Sequence, residues 1–261
     1  MNIIGALVSL PVSIILIVWL NRCKRYDPFS KGNIRRLIIA GMLSALLATV
    51  VSLSIMVVMA ISVIGIDTLR SWMTDPDPVA IQATIEKIRA TSTFSYGKLF
   101  LNQLISIGLV EEMSRYLFLR LSTRKQPFAK TWLDYVICGG IVGIGFAIIE
   151  DLLYSEGGVI LAALRALTPF HFTYGVIMGF FIGKAFDTNQ KRYHLIGILI
   201  PVILHTLFDS SLQALSKEDV YLILVAFVSI LTIVITIFMI IKINRWSIEA
   251  LDHKQADNPI T

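Results

Sequence analysis

Apolar runs long enough to cross a lipid bilayer recur along this chain, with short polar connections between them. A membrane-spanning helix needs about 20 apolar residues. Pro169 predicts a kink near the start of the fifth run, because proline cannot continue a helix without a break. The pattern predicts an all-α, polytopic bundle of about seven transmembrane spans, at residues 3–20, 37–66, 99–121, 132–154, 166–185, 195–213 and 220–241.

The composition and the charge distribution agree with a membrane protein. Of the 261 residues, 56% are hydrophobic and 16% are charged, and the mean hydropathy is +0.75, which excludes a soluble domain of this length. We expect a multi-pass protein of the cell membrane, with one integral membrane domain over residues 1–261. The lipid bilayer is then its environment, and the sequence indicates no nucleic-acid partner. Because basic residues concentrate in alternate connections, the positive-inside rule predicts an outer N-terminus and a cytoplasmic C-terminus.

The longest predicted outer connection covers residues 67–98. Its DPDP sequence, Asp75 to Pro78, is a turn signal. After it, Ile81, Ile85 and Ile88 share one helical face, which predicts a short helix lying at the membrane interface.

Ionisable side chains inside the predicted spans are the main candidates for chemistry. Each charge near the bilayer centre costs roughly 2.5–3.5 kcal/mol, so such groups must face inward and find partners. Counted at about 1.5 Å per residue from the outer ends of their spans, they lie roughly 6–18 Å deep. This depth predicts one site that is open toward the outer side. The residues are Glu111, Glu112, Arg115, Glu150, Asp151, His171, His205 and Asp209.

The spacing of these residues predicts how they meet. Glu111 and Arg115 are four residues apart and share a helix face, as do His205 and Asp209. A carboxylate so placed can orient the imidazole, although Glu111 and Arg115 could also form a purely structural ion pair. Glycines at four-residue spacing, such as Gly139 and Gly143 or Gly175 and Gly179, predict close helix packing around the site.

Four motifs occur in order on successive spans: EEMSR, FAIIED, HFTYGVIMG and HTLFD. Together they resemble the PrsW family of intramembrane proteases over roughly residues 99–213. They are similar, more distantly, to the group that contains the CAAX prenyl proteases and the abortive-infection membrane proteins. The chain departs from the family pattern at Arg115, where a lysine is expected, and at Asp151, where an asparagine is expected. The motifs of site-2, rhomboid and GxGD proteases are absent from the sequence.

The resemblance implies an intramembrane endopeptidase of glutamate or metallo type. Its substrate would be a membrane-anchored protein, such as an anti-sigma factor or a similar regulator, cut near the outer membrane face. Glu111 would activate water, and Glu112 would support it or pair with Arg115. His171 and His205 would bind a divalent metal, with zinc first, together with Glu150, or would stabilise the oxyanion without a metal. Both versions stay open, as do the identity of the substrate and the oligomeric state.

Two other classes of function compete with proteolysis. Intramembrane carboxylates and histidines also form proton relays, so a proton- or ion-coupled transporter is the first alternative. Such transporters are often built from inverted repeats, and the sequence shows no internal repeat. The second alternative is a non-catalytic membrane scaffold or immunity protein. The intact set of Glu111, Glu150, His171 and His205 argues against a decayed site.

Overall fold

The computed structural model describes residues 3–25, 27–91, 94–153 and 168–257, and every regular element within these ranges is a helix. A π-helical turn, Leu104–Gly108, joins α5 directly to α6. The α-helices in chain order are α1 (Ile3–Cys23), α2 (Lys31–Ile64), α3 (Ile66–Thr74), α4 (Pro78–Thr91), α5 (Tyr96–Gln103), α6 (Leu109–Thr123), α7 (Trp132–Leu153), α8 (Phe170–Thr188), α9 (Arg192–Leu215) and α10 (Tyr221–Asp257).

Four of these helices are long and apolar enough to cross a membrane: α2, α7, α9 and the Tyr221–Ala250 part of α10. A shorter apolar segment, Ser9–Cys23, lies in α1. Helices occupy all seven positions at which the sequence predicts spans. The all-helical membrane fold is therefore confirmed, whereas a count of seven crossings stays a prediction.

Three helix boundaries differ most from the sequence prediction, and the largest difference is that α10 continues to Asp257 instead of ending near residue 241. Pro169 does not kink α8 but precedes it, since α8 begins at Phe170. A proline suits this position because its φ, here −73°, is fixed and the first backbone N–H groups of a helix have no partner within the helix. The second apolar run is broken at Gly65, whose φ of 82° ends α2 before α3 begins. Residues 154–167 lie outside the described part of the chain.

Helices α7 and α8 pack backbone against backbone through glycines. A Cβ on Gly139 would overlap with the carbonyl oxygen of Gly175, and a Cβ on Gly175 would overlap with that of Gly139. Gly143 is placed in the same way against the carbonyl oxygen of His171. Only residues without a side chain allow this approach, which fixes His171 relative to α7.

A buried ion pair fixes the C-terminal end of α1. Lys24 Nζ donates a hydrogen bond to the Phe128 carbonyl at 2.9 Å and lies 3.5 Å from Asp134 Oδ1. The other carboxylate oxygen of Asp134 accepts hydrogen bonds from the backbone N–H groups of Lys130 and Thr131, both at 2.9 Å. This network joins the end of α1 to the start of α7, at the opposite end of α7 from Glu150.

Candidate active site

Seven ionisable side chains, each predicted from the sequence as a site residue, form one continuous group that we call the polar cluster. Helix α6 contributes three of them, α7 and α8 one each, and α9 two. A chain of short contacts, described below, connects every member to the next. The members are Glu111, Glu112, Arg115, Glu150, His171, His205 and Asp209.

An ion pair between Glu112 and Arg115 forms the buried centre of the polar cluster. Arg115 Nη1 donates to Glu112 Oε2 at 2.5 Å, and both side chains are 0% exposed. The guanidinium also lies 4.1 Å from the centroid of the Phe146 ring, a cation–π contact. Arg115 therefore pairs with Glu112, three residues away, and not with Glu111, so that Glu111 is left for another role.

The contacts of His205 determine which of its ring nitrogens carries hydrogen. Nδ1 lies 2.9 Å from Glu112 Oε1. Because Glu112 is paired with Arg115 it is an ionised acceptor, so Nδ1 is the donor, and Nε2 carries a lone pair whenever the ring is neutral. That lone pair faces Asp209 Oδ2 at 3.3 Å and Glu111 Oε2 at 3.6 Å.

Three acceptor atoms thus converge around one point of the polar cluster, from Glu111, His205 and Asp209. No described residue donates a hydrogen bond to Glu111 Oε2. Acceptors at such separations repel one another unless a cation, a water molecule or a shared proton lies between them. Such an arrangement can hold a water molecule or a cation.

In His171, unlike His205, the ring nitrogen Nδ1 accepts a hydrogen bond. Arg115 Nη2 lies 2.8 Å from His171 Nδ1, and arginine has only donors, so Nδ1 accepts. The hydrogen of the neutral ring is therefore on Nε2, which contacts Glu150 Oε2. The two histidines present different functions to the site: His205 presents a lone pair and His171 presents an N–H donor.

A divalent metal fits this donor set in part. Ligand atoms of Glu111, His171 and His205 all lie within 4.8 Å of one another, and two histidines with a carboxylate are a common catalytic zinc set. Glu111 completes this group, while the predicted ligand Glu150 contacts His171, and the metal set stays a prediction. Glu111 and His205 offer free lone pairs. His171 fits only after losing its contact with Arg115, since a neutral imidazole cannot accept at both nitrogens.

A π-helical turn precedes the two glutamates on the chain and was not predicted from the sequence. Within the turn, the Ser106 carbonyl accepts a hydrogen bond from Ser52 Oγ of α2 at 2.6 Å. A Cβ on Gly108 would overlap with Thr206 Oγ1, so the start of α6 packs closely on α9 beside His205. π-turns are frequent at functional sites, because one extra residue rotates the following side chains. The sequence of this turn, LISIG, contains no signal that separates it from an ordinary α-helix.

Tyr174 is a further neighbour that the sequence reasoning missed. Its side chain is 0% exposed, and its ring centroid lies 5.5 Å from that of His205 and 6.2 Å from that of His171. The sequence feature that indicates this neighbour is the position of Tyr174 in HFTYG, one helical turn after His171. Tyr174 packs against both imidazoles and limits their rotation.

A cleft of about 730 Å³, which includes the space at its open mouth, leads to the polar cluster. Four members of the cluster line it: Glu150, His171, His205 and Asp209. One wall is formed by α1 and another by α9, and Thr168 and Pro169 lie beside them. Among the residues that the structure describes, this cleft connects the polar cluster with the outside of the bundle.

A family model described as "PrsW family intramembrane metalloprotease" matches residues 32–239, a range that contains the whole polar cluster. The chain belongs to the PrsW family. The resemblance seen in the four motifs is confirmed at this level, whereas the wider relation to CAAX proteases stays a prediction. A search of solved structures gave no significant match.

Individual relatives agree with this assignment. Protease PrsW of Bacillus subtilis (strain 168) is 34% identical over 132 residues, which are 48% of this chain and 61% of that protein. Protease PrsW of Oceanobacillus iheyensis is 32% identical over 150 residues, 55% of this chain and 68% of that protein. The match to Protease PrsW of Halalkalibacterium halodurans, 33% identical over 126 residues, covers 46% of this chain and 59% of that protein. The chain thus aligns with roughly three fifths to two thirds of these PrsW proteins, so their activity is applied to it only as a proposal.

Proposed function

We propose that this protein is an intramembrane endopeptidase that hydrolyses a peptide bond in a membrane-anchored protein. The observation that carries the proposal is the convergence, beside a cleft lined by both histidines, of a Glu111 oxygen without a described hydrogen-bond donor, His205 Nε2 and the Nε2–H group of His171. Peptide hydrolysis needs a base for water, a donor for the oxyanion and a proton for the leaving amine. Membership of the PrsW family supports the same reaction.

Glu111 is the proposed general base. A water molecule held between Glu111 Oε2 and His205 Nε2, which are 3.6 Å apart, would lose a proton to Glu111 as its oxygen attacks the carbonyl carbon. Glu111 would then return that proton to the leaving nitrogen as the C–N bond breaks. Glu112 and Asp209 act on His205, the first at Nδ1 and the second beside Nε2.

His171 is the proposed donor to the oxyanion. Its Nε2–H group contacts Glu150 in the free protein, and the carbonyl oxygen of a substrate would replace Glu150 as the acceptor. Arg115 fixes this tautomer through Nδ1 and adds a buried positive charge beside the developing negative one. A donor placed in advance where charge develops is a large source of rate enhancement.

A divalent cation, zinc by the type of donors, is a separate part of the proposal. Glu111 and His205 would hold it, and when bound it would supply Lewis-acid polarisation of the attacking water. The metal-free version assigns the same position to water alone. The two versions differ in whether a chelator abolishes activity.

The number of membrane crossings and the sides of the two termini are also part of the proposal. Seven crossings, an outer N-terminus and a cytoplasmic C-terminus would open the cleft toward the outer membrane face. Cleavage near that face suits a substrate with a domain outside the membrane, and a regulator such as an anti-sigma factor is the expected kind.

The proposal is tested by incubating the purified protein with a library of single-span reporter proteins and following their cleavage on gels. Glu111→Gln keeps the size of the side chain but removes the base, so cleavage should disappear. Glu249→Gln is the matched control, because Glu249 is exposed and contacts only Arg245 among the described residues. Equal cleavage by wild type and Glu111→Gln would contradict the proposal.

A further inference from the structure

We propose that the outer half of α1 binds the substrate, so that an unwound segment of a transmembrane substrate lies between α1 and α9. This inference rests on the proposed function and adds the docking surface. The residues concerned are Ser9, Val12 and Ser13 on α1, and Phe208 and Leu212 on α9. We call the first three the α1 wall.

Exposure and spacing show that α1 faces the cleft with one side only. Ser9, Val12, Ser13 and Leu16 line the cleft and recur at the three- and four-residue intervals of a single helical face. Ser13 is 8% exposed, whereas Ile15 on the same helix is 66% exposed. The exposed side of α1, which includes Ile15, thus faces away from the bundle, and Ser9 and Ser13 face the space beside the polar cluster.

The polar cluster has space beside it at the α1 wall but not between α7 and α8. Helices α7 and α8 are in backbone contact through Gly139 and Gly175, which leaves no room between them. Space beside the polar cluster exists instead between α1 and α9, next to His171 and His205. A substrate that approaches within the membrane therefore meets the cluster through this gap.

The chemistry of the α1 wall suits an unwound peptide. Within a helix, the carbonyl of the bond to be cut is hydrogen-bonded and surrounded by side chains, so the substrate must unwind locally. Unwound backbone in lipid leaves N–H and C=O groups without partners, at a cost of several kcal/mol each. A serine hydroxyl both donates and accepts, so Ser9 and Ser13 can supply such partners on an otherwise apolar helix.

The structure of α1 also allows this half to adjust while the other half stays fixed. Lys24 and Cys23 at its C-terminal end are buried, and Lys24 is held by Asp134. Pro11 lies between the two serines and removes one backbone hydrogen bond of the helix. A bulky substrate side chain can therefore displace residues 9–13 without disturbing the attachment to α7.

Photo-crosslinking tests this docking directly. A benzophenone amino acid replaces Ser13 in one protein and Ile15 in the other, each with Glu111→Gln to prevent cleavage, in liposomes with a single-span reporter. We expect a crosslink to the reporter from position 13 and none from position 15. A crosslink from position 15 alone, from neither position, or from position 13 to phospholipid alone would overturn the inference.

A second pair of variants tests the same surface by activity. Ser13→Trp fills the cleft, so we expect reporter cleavage to fall about tenfold or more, while Ile15→Trp leaves it unchanged. Melting curves of both variants check that they fold. If Ser13→Trp does not fold, the crosslinking experiment alone tests the docking surface. Normal cleavage by folded Ser13→Trp would refute the docking surface but not the protease. If Glu111→Gln cleaved the reporter as well as wild type does, the proposed protease function itself would be refuted.

Discussion

At the residue scale, the central feature is that Nδ1 accepts a hydrogen bond in His171 but donates one in His205. Arg115 can only donate, so it makes His171 an acceptor at Nδ1, while Glu112 makes His205 a donor at Nδ1. One buried ion pair, Glu112 with Arg115, thereby sets both tautomers. The two histidines, similar in sequence context, receive different chemical roles from this pair.

This difference predicts unequal effects of the same substitution. Glutamine has an N–H donor, so His171→Gln should keep part of the activity, while His171→Ala should lose about 10²–10³-fold in kcat. His205→Gln should abolish cleavage and, in the zinc-dependent version of the proposal, lower the zinc content of the purified protein, which His171→Gln should not. Reporter kinetics and elemental analysis measure both. Equal loss of zinc in the two glutamine variants would contradict the assigned tautomers.

Arg115 gives a second prediction at this scale. Arg115→Gln leaves Glu112 buried without its counter-charge, a change that costs roughly 3–5 kcal/mol for a buried pair, so the melting temperature should fall. Arg115→Lys keeps the charge and matches the lysine expected in the family pattern, so it should fold and retain activity. If Arg115→Gln melted and cleaved like wild type, the ion pair would not organise the site.

At the element scale, backbone contact between helices positions the cluster. The glycines of α7 and α8 set the position of His171, and the π-turn before α6 sets that of Glu111 and Glu112. The glycine contact could be predicted from the four-residue spacing. The π-turn could not, because its sequence, LISIG, is compatible with an ordinary α-helix.

Gly143 provides the test at this scale. A methyl group there would overlap with the carbonyl oxygen of His171. The nearest atoms all belong to the backbone of α8, so α8 must move. We expect Gly143→Ala to reduce reporter cleavage and the melting temperature together. Gly32→Ala is the control, since the nearest atom to its added Cβ, Ser30 Oγ, would be 3.7 Å away. Similar behaviour of both variants would mean that the close packing is not needed.

At the scale of the whole molecule, hydropathy alone predicted the order of the long helices, and most of their ends lie close to those in the structure, although α10 continues to Asp257, sixteen residues beyond the predicted end at residue 241. The apolar runs are long and the polar breaks are distinct, so little competes with a helical assignment in lipid. It was harder to predict which side chains of the site contact one another. Spacing suggested that Glu111 pairs with Arg115, but the three-residue partner Glu112 takes that contact because His205 approaches it from another helix.

The orientation of the molecule in the membrane can be measured by labelling. Cys23 and Cys138 are free and buried, and both are first replaced by alanine. An impermeant maleimide added to whole cells should then label Asp75→Cys, in the predicted outer connection, but label Asn189→Cys only after the cells are permeabilised. Both positions are exposed in the structure. The reverse pattern would place the cleft on the cytoplasmic side.

The most direct test of hydrolysis at the polar cluster is mass spectrometry of a single-span reporter incubated with the protein in ¹⁸O-labelled water. Wild-type protein should produce two fragments, with one ¹⁸O atom in the new carboxyl terminus, because water attacks the carbonyl carbon. Glu111→Gln should leave the reporter intact. An intact reporter with both proteins across the whole library, or equal fragments from both, would contradict the assignment of Glu111 as the base of a peptidase.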